Sequence, residues 1–105
     1  MITTLDLETT FTKDGDPSPF NPENKMVSVG INDKYYFFHH KELHNLDVVG
    51  SKKAVQDILD ASTLVIGHNL KFDMSWLYQC GFTYSGKLYD TMIGEYIINR
   101  GEKKS

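Results

Sequence analysis

The sequence is short of cysteine and of long apolar runs, and each shortage excludes a class of protein. The single cysteine, Cys80, rules out an internal disulfide and is typical of a reducing compartment. No apolar run is long enough to span a bilayer, and no charged segment followed by an apolar one precedes the first predicted strand. We therefore expect a cytoplasmic protein that has no membrane partner.

Positive charge is also in short supply. The 11 Lys and Arg residues are outnumbered by 14 Asp and Glu residues, which gives a net charge of −3. Proteins that hold nucleic acid by bulk electrostatics are usually basic, so any nucleic-acid contact here is expected to be local and helped by cations. The 105 residues are enough for one small domain.

The hydrophobic pattern predicts strands and helices in the order β-β-β-α-β-α-β-α. Strands are predicted at residues 2–8, 26–31, 34–40, 63–67 and 87–89. The first helix is predicted to be capped by Ser51, the second to stop at Gly81, and the third to follow Asp90 and to carry Ile93, Tyr96 and Ile97. Residues 11–24 predict a long loop that flanks a substrate, and residues 101–105 a tail. This order is typical of an α/β fold with a mixed sheet.

Two acids lie in the first predicted strand. Asp6 and Glu8 are separated only by Leu7, so they share one face of the strand about 6–7 Å apart. An exposed edge strand, on which both acids are simply solvated, is one interpretation. The apolar neighbours Ile2 and Leu5 favour an inner strand instead.

A second polar group occurs in the stretch GHNLKFDMSWL, where a short apolar strand turns into a helix. This is the usual place for a site in an α/β sheet. Asn69 and Asp73 are four residues apart, so they project from the same side of the helix start. The alternative is that Asn69 only caps the helix and that Asp73 is solvated.

If the first and fourth strands are neighbours, the carboxylates of Asp6, Glu8 and Asp73 converge. Two such charges 4 Å apart repel by about 4 kcal/mol at an effective dielectric constant of 20, so a cation is expected between them. Oxygen ligands alone favour Mg²⁺ or Mn²⁺. A pair of these ions about 3.5–4 Å apart is a common device for phosphodiester cleavage.

The segments TLDLETT, GHNLKFD and LYDTMI resemble, in order and spacing, the DEDD 3′–5′ exonucleases. The likeness is strongest to the proofreading domain of family A DNA polymerases, particularly phage enzymes that begin with it. The resemblance implies a ribonuclease H-like fold, with a five-stranded sheet in the order 3-2-1-4-5. It also implies two metal ions, a single-stranded DNA 3′ end as substrate, and the cytoplasm of a host cell if a phage encodes the chain.

The resemblance also implies roles for individual residues. Asp6 would bridge both metal ions, Glu8 would bind the ion on the nucleophile side, and Asp73 would hold the other through water. The residues implied near the terminal nucleotide are Thr9, Asn69, Lys71 and Phe72. Asp90 matches a position that we interpret as a structural helix cap.

One motif of the family is missing. Its fourth carboxylate lies in a Tyr-x-x-x-Asp or His-x-x-x-Asp motif, and no Tyr or His in this sequence has Asp four residues later. Glu95 is a weak substitute. We therefore expect residues 1–105 to form a single incomplete exonuclease domain, truncated at its carboxyl terminus, with an apolar sheet face left uncovered.

Three hypotheses remain. The first is an exonuclease domain that is inactive or weak alone and is completed by a polymerase or downstream exonuclease segment, in the same or another chain. The second is a non-catalytic nuclease-like module for binding or assembly. The third is an unrelated α/β domain whose acids lie on the surface, in which replacement of Asp6 would leave metal binding unchanged. The histidines at 39, 40 and 44 are interpreted as surface residues, and Trp76, Tyr78 and Phe82 as core.

Overall fold

A computed structural model of the chain describes residues 1–10, 18–20, 23–39 and 46–97. The elements in chain order are β1 Ile2–Thr9, β2 Met26–Ile31, β3 Lys34–Phe37, α1 Val48–Ala61, β4 Leu64–Gly67, α2 Leu70–Gln79, β5 Lys87–Asp90 and β6 Glu95–Ile97. Most of the predicted loop at 11–24, His40, His44 and the predicted tail lie outside the described residues. Of the helices that are described, none is both long and apolar enough to cross a membrane.

The strands form one mixed sheet in the order β3-β2-β1-β4-β5-β6. β1 runs antiparallel to β2 and parallel to β4, and β4 runs parallel to β5. The predicted α/β class and the predicted order of the first five strands are therefore confirmed. The sixth strand is an addition to the predicted sheet.

The period-two pattern of β1 decides which face of the sheet carries the core. Thr3, Leu5 and Leu7 are buried, whereas Ile2, Thr4, Asp6 and Glu8 on the other face are exposed. Both helices contribute to the same hydrophobic core as the buried face, α1 through Val55 and Leu59 and α2 through Leu70, Met74, Trp76 and Leu77. The acids of β1 therefore lie on the face opposite to the core.

The start of α1 differs from the prediction. Asp47, not Ser51, is the N-cap, and its carboxylate accepts a hydrogen bond of 2.9 Å from the Gly50 N–H. The first helical residues, Val48 and Val49, are exposed, so the apolar periodicity that marks the helix begins after its true start. The second helix ends close to the predicted position, with Gly81 at a φ of +92° just beyond it.

The third predicted helix is wrong. Residues 91–94 form a turn that leads into β6, which pairs antiparallel with β5. The Gly94 N–H donates to the Asp90 carbonyl at 2.8 Å, and Gly94 has a φ of +67°, a left-handed conformation that stops a helix. Tyr96 then packs edge-on against Tyr89, with ring centroids 4.9 Å apart. Local turn chemistry and this cross-strand pair override the helical spacing of the apolar residues.

Candidate functional site

The candidate site lies at the end of the sheet where β1 extends beyond the last residue of β4. Pairing between these two strands stops at Leu5 and Gly67. β1 continues for four more residues, Asp6 to Thr9, and among the described strands these residues pair with β2 alone. Asp6 therefore lies just beyond the end of β4, where the chain turns into α2. This is the position at which parallel sheets usually present their sites.

The turn from β4 into α2 is held by a residue of another strand. Asn69 occupies the N-cap position in the left-handed region, at φ 70° and ψ 52°, and its side chain makes no capping hydrogen bond. The carboxylate of Asp90 accepts from the Asn69 N–H at 2.8 Å and from the Leu70 N–H at 2.9 Å instead. Asp90 thus caps α2, and not the third helix that we predicted to follow it.

Asp90 stays ionised although it is only 1% exposed. Burial opposes its charged form, but the N–H groups of Asn69, Met92 and Leu70 outweigh burial and hold the pKa of Asp90 below its ordinary value. The nearby His68 lowers the pKa further. The sequence pattern did not single out His68, whose Nδ1 lies 3.3 Å from the Thr91 hydroxyl. Aligning the parallel strands at Gly67 and Asp90 would have revealed this group.

Asp73 is the most perturbed acid of the site. It is 4% exposed, and its Oδ2 has no hydrogen-bond partner among the described residues. Burial, followed by the negative charges of Asp6 and Asp90, raises the pKa of Asp73 to about 7. The solvated Asp73 of the alternative interpretation is therefore wrong.

The three acids of the predicted cluster are not equally placed. Asp6 lies near enough to Asp73 to disturb its charge, whereas Glu8 is not among the groups that do so. In residues 1–10, 18–20, 23–39 and 46–97, no three acidic, His or Cys side chains are grouped so that they could hold a metal ion. Glu8 is three residues past the last pair with β4 and adjoins a register shift in β1.

The remaining predicted site residues belong to the two elements that carry this pair. Thr9 is the last residue of β1 and is half-buried. In the first turn of α2, Lys71 is exposed and Phe72 is half-buried against the core. Their predicted contacts with a terminal nucleotide stay predictions.

The donor atoms of the Asp6 and Asp73 pair suit a hard cation. Both are carboxylates, and the Oδ2 of Asp73, which has no partner in the described part of the chain, is a buried oxygen that a positive charge would stabilise. Mg²⁺ is bound in proteins through one or two carboxylates together with water and phosphate oxygens. The pair therefore fits part of the ligand set of such an ion.

Comparison with known proteins decides the family. Residues 5–105 match a family model described as 3′–5′ exonuclease. The chain belongs to this exonuclease family. The family membership that the motifs predicted is thus confirmed, and enzymes of this family generally use divalent metal ions.

A curated relative is DNA polymerase I of Aquifex aeolicus (strain VF5). It is 27% identical to this exonuclease chain over 74 residues, which cover 70% of the chain. The matched segment spans only 12% of the length of that polymerase. No solved structure matches the chain.

Proposed function

We propose that this chain acts as a proofreading-type 3′–5′ exonuclease domain that hydrolyses terminal phosphodiester bonds of DNA. The observation that carries the proposal is the carboxylate of Asp73, which is buried, has one oxygen without a partner among the described residues and lies near the charge of Asp6. Two such groups lie together only when one of them is protonated or when a cation lies between them, and above about pH 7 the cation becomes necessary. The match to the exonuclease family and the polymerase relative support DNA as the substrate.

Asp6, Glu8 and Asp73 would hold Mg²⁺ or Mn²⁺ at this end of the sheet. In the proposed arrangement Asp6 would serve both ions, Glu8 would serve the ion on the nucleophile side, and Asp73 would serve the other through water. When bound, the ions would supply an activated nucleophile at neutral pH and stabilise the leaving oxygen. The part of Asp90 is indirect, because it fixes the start of the helix that carries Asp73.

The substrate is proposed to be a single-stranded 3′ end. Thr9 ends β1, which carries Asp6, and Asn69, Lys71 and Phe72 stand at the start of α2, which carries Asp73. The backbone positions support contacts to the terminal nucleotide from both elements. Lys71 is the exposed cation nearest in sequence to Asp73, and it is proposed to contact a phosphate.

The chain alone is proposed to be inactive or weak. The sequence contains no Tyr or His followed by Asp four residues later, so the fourth carboxylate of the family has no counterpart in residues 1–105. We propose that this ligand comes from a downstream exonuclease or polymerase segment, in the same polypeptide or in another one. A cytoplasmic setting, in a host cell if a phage encodes the chain, belongs to the same proposal.

A cleavage assay tests the proposal. The purified chain is mixed with Mn²⁺ and a single strand labelled at its 3′ end, with and without a polypeptide that carries a Tyr-x-x-x-Asp segment. We expect labelled mononucleotide only in the complemented mixture. Asp6→Asn and Asp73→Asn should abolish its release. The matched control Asp57→Asn, which removes an exposed carboxylate of α1, should not.

The outcomes separate two functions. Cleavage by the chain alone would refute the proposed need for a further ligand. No cleavage in the complemented mixture would favour the second candidate, a non-catalytic module for binding or assembly. That candidate is supported by large apolar side chains on the face opposite to the core, where Ile2 is 62% exposed and Tyr35 and Tyr96 are each 65% exposed.

A further inference from the structure

Two rows of side chains run across β3, β2 and β1 on the exposed face. In the first row Tyr35 pairs with Gly30, and Gly30 pairs with Asp6. Since directly opposed residues of antiparallel strands point to the same face, the aromatic ring and the acid share one surface.

The second row repeats this pattern one step along the strands. Phe37 pairs with Ser28, and Ser28 pairs with Glu8. Each row therefore has an aromatic residue on the edge strand, a small residue in the middle and an acid on β1. The small residues are themselves buried, so the aromatic residues and the acids are the exposed members of each row.

The ring of Tyr35 reaches back over the first row. A Cβ atom placed on Gly30 would lie 2.9 Å from Cε1 and 3.3 Å from Cδ1 of Tyr35, so the ring packs directly on the glycine. Tyr35 is nonetheless 65% exposed, and Phe37 is 39% exposed. The ring is thus fixed on one side by the sheet and is open to a ligand elsewhere.

We propose that Tyr35, with Phe37 beside it, is a stacking platform for a base of the single-stranded nucleic acid whose 3′ end reaches Asp6. The inference rests on the proposed exonuclease function and assigns the substrate a path across β2. Adjacent strands are about 4.8 Å apart, so the Cα atoms of Tyr35 and Asp6 are separated by roughly 10 Å. The ring of Tyr35 covers Gly30, the residue between Tyr35 and Asp6, and a short single strand can span the remaining distance to Asp6.

The net negative charge of the protein makes local contacts, such as stacking on Tyr35, necessary for nucleic-acid binding. A net charge of −3 gives no general attraction for phosphate, so affinity must come from local contacts. Stacking of a base on an aromatic ring is such a contact, and it is tolerant of sequence because every base has a flat face. That tolerance suits a domain that removes whichever nucleotide is terminal.

Tyr96 provides a matched control. It is also a tyrosine, is also 65% exposed and lies on the same face of the sheet, in a row with Tyr89 and Ile66. It belongs to β6, however, which is three strands from β1 in the direction away from β3. A surface used for stacking near Asp6 should depend on Tyr35 and not on Tyr96.

Binding is measured by the fluorescence anisotropy of a short oligothymidylate labelled at its 5′ end, with Ca²⁺ present. We expect Tyr35→Leu to weaken binding by about tenfold, because leucine can still cover Gly30 but cannot stack. Tyr35→Phe and Tyr96→Leu should each stay within about twofold of the unmodified chain. A smaller loss, about threefold, is expected for Phe37→Leu.

Several results would overturn the platform. These are an unmodified chain that binds no single strand, a Tyr35→Leu chain that binds normally while its thermal unfolding is unchanged, and equal losses for Tyr35→Leu and Tyr96→Leu. Normal cleavage by a complemented Tyr35→Leu chain that binds normally would reject the platform and leave the exonuclease function standing. Binding that depends on Tyr35, without cleavage in any mixture, would support the platform and reject the exonuclease function.

Discussion

At the scale of single residues, the crowding of Asp73 makes the stability of the protein depend on pH. In the folded chain the pKa of Asp73 is about 7, against an ordinary value of 3.8. Between these values the folded state binds the proton more tightly than the unfolded state does. The free energy of unfolding should therefore fall as the pH rises from about 4 to 7, by as much as about 4 kcal/mol at about 1.36 kcal/mol per pH unit.

Urea unfolding in buffers that contain EDTA measures this slope. Asp73→Asn is the control, since an amide does not titrate and its stability should change little over the same window. A free energy of unfolding that rises with pH in the unmodified chain, or a slope that persists in the asparagine variant, would contradict the assignment to Asp73.

The charge of Asp6 should destabilise the protein when no cation is present. Asp6→Asn removes one of the charges that oppose the ionised form of Asp73, so we expect it to raise the free energy of unfolding by about 1–2 kcal/mol near pH 8. Near pH 5 Asp73 is protonated, and the gain should largely vanish. The measurement is urea unfolding in EDTA at both pH values.

Glu8→Gln is the matched control for that experiment. Glu8 is exposed on the same face of β1 but is not among the groups that shift Asp73. Its substitution should change stability by less than about 0.5 kcal/mol at either pH, as is usual for surface positions. Equal gains from both variants would indicate a general relief of negative charge and not a specific pair.

At the scale of secondary structure, Asp90 joins β5 to the start of α2. Asp90→Asn leaves the N–H groups of Asn69 and Leu70 without a charged acceptor, and we expect a loss of about 3 kcal/mol in the free energy of unfolding. Because the folded pKa of Asp90 is lowered, its contribution is present above about pH 4 and is lost as the pH falls through the folded pKa.

Hydrogen exchange shows where the effect of Asp90→Asn acts. The amides of Asn69 and Leu70 should exchange faster, while those of α1 should change only through global stability. Asp57→Asn, which breaks an exposed ion pair with Lys53, should cost less than about 0.5 kcal/mol. If Asp90→Asn is as mild as this control, the cap contributes little to the position of Asp73.

The elements that could be predicted are those whose pattern is decided by burial. The alternation in β1 and the apolar spacing of α2 both follow from one buried face, and Trp76 and Phe82 are buried as expected. The failed third helix depended on Ile93 and Tyr96, which are exposed. The spacing of apolar residues indicates a helix only when those residues are buried on one face. In this segment Gly94 and the turn at residues 91–94 determine the structure instead.

The site was predictable only in part for a similar reason. Strand alternation places Asp6 and Glu8 on one face, and helix spacing places Asp73 at the start of α2. No local pattern shows that the pairing of β1 with β4 stops at Leu5, one residue before Asp6 and three before Glu8. The cap from Asp90 is equally invisible locally, because it joins residues 20 and 21 positions apart.

At the scale of the whole molecule, net negative charge and a proposed nucleic-acid substrate together predict an unusual salt dependence. The proposal assigns phosphate contact to one cation, Lys71, so few counterions are released, and the logarithm of the binding constant should fall with the logarithm of KCl concentration with a slope of about −1 to −2. Removal of Ca²⁺ with EDTA should weaken binding at least tenfold, since the acids would then repel phosphate. Anisotropy titrations with the labelled oligothymidylate over a range of KCl give both values. On a single strand, each phosphate contact contributes about −0.7 to this slope. A slope steeper than about −4 would therefore indicate that lysines bind the strand along its phosphates, and that it does not lie beside Asp6 and Tyr35.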